Sequence, residues 1–207
     1  MVITPLSMSR RGIREYGSRN AYSQLMFVGA GDDYAAARCL SLNHLVETGF
    51  PLFCQSIEKM LKALIFLETG ATPKVKGMDR HMPYALKEEL QSSTDYGLDK
   101  YDDVLRRLFG HFQHRYHDNE DQSRIMGGRE LEEFDELWMF LFELLSFPIE
   151  VKYRLKFVSM LFEENALTYM PTYRHWVTFQ NKAMSPKLGE MELTYFLVRE
   201  HYINSAS

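Results

Sequence analysis

The chain has 207 residues, with 24 basic and 28 acidic side chains that leave a formal net charge of −4, and a pI near 6.0. Whole-molecule electrostatics therefore do not draw it to nucleic acid or to an anionic membrane, and any such attraction has to be local. At 45% hydrophobic, 14% aromatic and 25% charged residues, the composition supports a large core and excludes a chain that is disordered throughout.

Cys39 and Cys54 are the only cysteines, both inside apolar helical patterns. This suits buried thiols in a reducing compartment, not a disulfide framework or a metal site. The apolar run "LMFV" at 25–28 is too short for a signal-peptide core. "LWMFLFELL" at 137–145 is interrupted by Glu143 and falls short of the roughly 18 residues of a membrane span. The expectation is a cytoplasmic protein with no membrane contact.

In chain order, residues 1–31 read as an irregular Ser-, Gly- and Arg-rich arm. "GAGDDY" at 29–34 contains a G-x-G but lacks the preceding strand and the remaining glycine of a dinucleotide fingerprint. It reads as a turn, with Asp32 or Asp33 capping the next helix. That helix is predicted over about 33–48 and is stopped by Gly49. "PLFCQSIEKMLKALIFLETG" at 51–70 carries the clearest helical pattern. Pro51 suits its first turn, Ile57, Met60, Leu61, Leu64 and Leu67 form a core stripe, Glu58 and Lys62 pair at i,i+4, and Gly70 ends it.

A shorter helix is predicted over 80–93, a fourth over about 99–116, and an apolar fifth over about 130–145. Beyond Pro148, residues 150–165 and 190–202 read as further helices, and the aromatic, proline-punctuated stretch between them has no clear assignment. With no repeat and no alternating strands, the prediction is an all-α, up-and-down bundle at 32–147, preceded by the arm at 1–31 and followed by a helical C-terminal extension at 148–207.

One segment of the fourth helix stands out. "RRLFGHFQHRYHD" at 106–118 holds three arginines and three histidines, and no acid occurs between Val104 and His117. At about 100° per residue, Val104, Leu105, Leu108, Phe109, Phe112 and Tyr116 form a core-facing arc. Arg107, His111 and His114, spaced i, i+4, i+7, align on its border. Arg106 turns to the solvent side and Arg115 points at the core edge. Arg with His suits phosphate chemistry: guanidinium grips the anion and imidazole exchanges a proton near neutrality. From spacing alone, a solvated face, an anion-binding edge and a metal-independent RNA-cleaving site all remain open.

Three stretches together resemble the HEPN superfamily of all-α nucleotide- and RNA-binding domains. "FCQSIEKMLKALIFLETG" (53–70) is similar to its second-helix signature, "HMPYALKEEL" (81–90) to the segment that follows, and "QHRYHDNE" (113–120) to the R-Y-P-D end of a later helix, with His117 replacing the proline. The resemblance covers about residues 33–146. Its ribonuclease branch carries Arg, four to six residues, then His on this helix, which admits Arg106 with His111 or Arg107 with His114. The wheel favours the second pair, because i,i+7 positions share a face.

His114, Arg115 and Tyr116 also match the His-x-Tyr of toxins paired with nucleotidyltransferases. The resemblance thus implies a metal-independent, cofactor-free endoribonuclease acting as a toxin or defence effector. Arg107 and His114 would be catalytic, and Arg106, His111, Arg115, Tyr116 and Lys59 would line the RNA or nucleotide site. It further implies a homodimer, with a nucleotidyltransferase-type antitoxin or a larger defence complex as partner. The alternative is a non-catalytic nucleotide- or RNA-binding or partner-docking module.

Other polar candidates have simpler readings. His81 suits a capping role, and His175 and Trp176 suit either base stacking or packing of the extension on the bundle. The acids at 130–136 suit a helix N-terminus, and the histidines lack a zinc-ligand frame.

Overall fold

The computed structural model describes residues 16–74, 82–92, 94–114, 128–146, 173–189 and 191. It is an all-α bundle of six helices: α1 (Tyr16–Leu42), α2 (Val46–Thr69), α3 (Pro83–Gln91), α4 (Asp102–His114), α5 (Gly128–Ser146) and α6 (Tyr173–Thr178). Short 3-10 turns at Asp99–Tyr101 and Ser185–Lys187 complete it, and the described residues contain no strand. None of their helices is long and apolar enough to cross a membrane. The helices expected at 150–165 and 190–202 fall almost wholly outside the described residues.

The first 50 residues differ most from the sequence reading. Residues 29–34 are not a turn and cap no helix; they lie in the middle of α1, which starts at Tyr16 and ends at Leu42. The chain reverses at Asn43–Leu45. There the Asn43 side chain donates to the Cys39 carbonyl over 2.7 Å, and His44 adopts φ 64°. Gly49 therefore does not stop a helix, and Pro51 sits inside α2 rather than in its first turn. Gly70, with φ 69°, ends α2 as expected, its N–H donating to the Phe66 carbonyl.

α1 and α2 run antiparallel. Ser23 donates to Ala63 O, Ser56 donates to Ala30 O, and Lys59 reaches Gly29 O and Asp33. A Cβ on Gly29 would lie 3.3 Å from Lys59 Nζ, so glycine there leaves room for the lysine stem. The predicted α2 stripe of Ile57, Met60, Leu61, Leu64 and Leu67 is buried, as are Val104, Leu105, Leu108 and Phe109 of α4.

Trp138 of α5 lies at the centre. Its ring stacks on Tyr34, with centroids 4.1 Å apart, and on Phe142 at 5.3 Å. Its indole N–H donates to Ser56 Oγ over 2.9 Å, so the aromatic body is buried without an orphaned donor.

At the α3/α4 corner, Lys87 is buried yet held by three carboxylates: Asp99, Asp102 at 2.8 Å and Glu88 at 3.3 Å. Burial alone would lower its pKa; the hydrogen bonds that it donates to Asp102, Asp99 and Glu88 outweigh that and raise it. In return, the hydrogen bond and charge of Lys87 hold Asp99 below its ordinary 3.8. A depressed carboxylate contributes stability that is present above its unfolded pKa and is lost as pH falls through its folded value. The Lys87→Gln variant is therefore expected to lose stability less steeply below about pH 4 than the wild type. Urea melts across a pH series check this; parallel slopes would contradict it.

Candidate functional site

Residues 106–114 of the Arg/His segment lie on α4, and Arg106, Arg107 and His111 separate once the neighbouring helices are in place. Arg106 turns toward α3, its guanidinium carbon 3.7 Å from the centroid of the Tyr84 ring. Arg107 turns toward α5 and is about one-third exposed. Its NH2 is paired with Glu133 Oε2, and its Nε lies 3.8 Å from Glu130 Oε1. The two arginines adjacent in sequence thus address different helices, and Arg106 is exposed, as its place on the wheel predicts.

His111 is buried rather than standing at a wet border. Its ring meets Phe50 edge-on at 4.9 Å and Phe134 at 6.2 Å. Nε2 lies 2.8 Å from Glu130 Oε1; a carboxylate only accepts, so this nitrogen carries the hydrogen. This corrects the reading of His111 as part of an accessible stripe: α2 and α5 cover it, and it fixes Glu130 from below. His114 belongs to the last turn of α4. Its side chain, with Arg115 and Tyr116, lies outside the described residues, as does His81.

Lys59 is directed to α1, with its ammonium 2.6 Å from Asp33. Burial raises the Asp33 pKa, against the lowering effect of Lys59. The expected i,i+4 pair of Glu58 and Lys62 is present, with both side chains largely buried.

Sequence reasoning did not assign Glu130 and Glu133 to this ledge. They lie 19 and 26 residues beyond the α4 side chains they hold. Their signal was present as the acidic start of α5, which reads equally well as dipole compensation. Arg129 adds a second cation, its Nε 3.3 Å from Glu133 Oε1. The ledge is therefore a mixed-charge array, not a bare basic stripe.

A second polar centre was not foreseen. Arg38 of α1 is fully buried. It pairs with Asp135 of α5 and donates to the Trp176 carbonyl over 2.9 Å and to the Phe179 carbonyl. Tyr34 donates to the other Asp135 oxygen over 2.8 Å and accepts from Asn181 Nδ2 over 2.7 Å. Burial pushes the Asp135 carboxyl up to about 6, against the opposing effect of Arg38. Burial, then the Asp135 charge, raises the Tyr34 hydroxyl well above its ordinary range. The network ties α6 and the turn after it to the bundle. His175 and Trp176 lie on that helix, with His175 exposed and its ring 5.2 Å from that of Phe179.

Cys54 is buried and Cys39 half-buried, and neither is in a disulfide. Among the described residues, no group of three or more His, Cys, Asp or Glu is placed to hold a metal ion. No protein-family model matches the chain, and neither the curated proteins nor the solved structures include one that does.

Proposed function

We propose that this chain is a metal-independent endoribonuclease of the HEPN type, a toxin or defence effector that works as a homodimer. Arg107 holds the scissile phosphate and His114 takes the proton from the ribose 2′-OH. The 2′-oxygen attacks phosphorus and the bond to the 5′-oxygen breaks, leaving a 2′,3′-cyclic phosphate and a 5′-hydroxyl that takes up a proton, while the guanidinium stabilises the charge on the phosphorus-bound oxygens. The observation that carries the choice of pair is the burial of His111 against Glu130 and Phe50. Arg107 lies on the ledge between α4 and α5, whereas Arg106, although exposed, turns away from that ledge onto Tyr84. A buried, carboxylate-held imidazole is poorly placed to meet substrate, so His114 is the better proton carrier.

The pairing of Arg107 with Glu133 favours a second reading, in which the ledge binds RNA, a nucleotide or a protein partner without cleaving anything. The two readings separate in one assay on purified protein with mixed RNA in excess chelator. Cleavage is expected to fall by about 10²-fold or more in Arg107→Ala and His114→Ala, and to persist in Arg106→Ala. Absence of cleavage by the wild type, together with harmless expression in cells, would sink the nuclease reading.

A further inference from the structure

We infer that Glu133 is an internal occupant of a phosphate site formed by Arg107 and Arg129, and that a phosphate group binds by displacing it. The inference rests on the placement of the binding ledge proposed above, but not on cleavage.

The carboxylate bridges two guanidiniums from two helices. Oε2 accepts from Arg107 of α4, and Oε1 faces Arg129 Nε at 3.3 Å on α5 itself. An anion with two oxygens set between two arginines is the arrangement in which arginine holds phosphate. The arginines are not equally committed: the Arg129 side chain is 91% exposed, whereas that of Arg107 is 37% exposed. Arg129 can therefore swing from Glu133 to an incoming anion, and Arg107 holds that anion from the ledge.

A second observation also points to a ligand. Arg107 Nε is shielded from solvent and has no hydrogen-bond partner, because Glu130 Oε1 stands too far off at 3.8 Å. A buried donor left unsatisfied is costly. Glu133 turns Oε2 to the terminal nitrogen of Arg107 and Oε1 to Arg129, so neither oxygen is set on Nε, whereas a phosphate brings a third oxygen that can face it.

The immediate array of Arg107, Arg129, Glu130 and Glu133 is neutral overall, counting two cations and two anions. An entering phosphate therefore meets competition from Glu133 rather than a field that attracts it. This competition favours the more highly charged anion. A terminal phosphate monoester, carrying about −1.5 to −2 charges near neutral pH, displaces a carboxylate more readily than a singly charged internal diester does.

The test is binding of short fluorescent single-stranded RNAs, with and without a 5′-phosphate, to the full chain in chelator at low salt. Glu133→Gln is expected to tighten binding about tenfold or more, with an unchanged melting temperature as evidence of an intact fold. Arg129→Ala weakens binding by a few fold and Arg107→Ala abolishes it. In the wild type the 5′-phosphorylated RNA binds more tightly, and that preference narrows in Glu133→Gln. Equal or weaker binding by a folded Glu133→Gln overturns the inference and makes Glu133 a structural bridge between α4 and α5. Should Glu133→Gln not fold, Glu133→Asp, whose shorter carboxylate spans the two arginines less well, must bind more tightly than wild type, or the inference fails. Tighter binding without any cleavage keeps this site and discards the nuclease; cleavage by the wild type that Glu133→Gln leaves unchanged, with unchanged affinity, does the reverse.

Discussion

Arg38→Met is expected to lower the stability of the fold by about 3–5 kcal/mol, the cost of breaking a buried ion pair by removing one partner. Arg38 is fully buried, and all three of its nitrogens are engaged, with Asp135 and with the carbonyls of Trp176 and Phe179. Methionine fills much of the volume but leaves Asp135 with only the Tyr34 hydroxyl among the described partners and strips two carbonyls of their donor. At about 2–4 °C per kcal/mol for a chain of this size, the melting temperature falls by roughly 10 °C. Arg38→Met combined with Asp135→Asn is expected to lose much less than the two single changes summed, since neither then leaves an uncompensated charge. A single variant that melts within a degree of wild type would falsify the account of the network as a clamp. Hydrogen exchange adds a local readout: amides of residues 173–184 lose protection in Arg38→Met before those of α2 do.

The second large effect is at Gly49. A Cβ built there would lie 2.4 Å from Ser41 Oγ, 2.8 Å from the Ala37 carbonyl oxygen and 3.1 Å from the Ser41 nitrogen. The hydroxyl can rotate away, but the backbone of α1 cannot. Gly49→Ala should therefore push the α1–α2 corner apart at a cost of about 1–3 kcal/mol, read as a shift of the urea midpoint. Adding Ser41→Ala removes the rotatable clash and keeps the carbonyl contact, so it restores only part of the loss. Complete recovery in the double variant would show that the hydroxyl, not the backbone approach, set the limit.

Both sites show what pattern reading can and cannot see. α2 was legible because its apolar residues recur at helical spacing and a glycine in a left-handed conformation ends it. The first half of α1 was not, although the helix expected from about residue 33 is its second half, because the stretch before it contains Gly29, Gly31 and two aspartates, the local vocabulary of a turn. It is helical there because packing against α2 overrides weak intrinsic preference: Phe27, Ala30 and Tyr34 are buried to 1% or less. α2 carries Pro51 internally because the chain reverses at Asn43–Leu45 and the helix starts at Val46, five residues before the proline.

The ledge was legible in angle but not in depth. Periodicity separated Arg106 from Arg107 correctly, since one helix alone sets which way each points. How far His111 sinks, and which acids meet Arg107, depends on Phe50, Glu130, Glu133 and Phe134, which other helices bring in.

The all-α class, the core stripes of α2 and α4, and the separation of Arg106 from Arg107 were legible in the sequence, because these are one-helix properties set by 3.6-residue periodicity. The tertiary structure decided which of those cations are accessible and what neutralises them. The partners of Arg38 lie 97, 138 and 141 residues away along the chain, and a charge–partner relation of that range has no periodic signature. It exists only once the helices are packed.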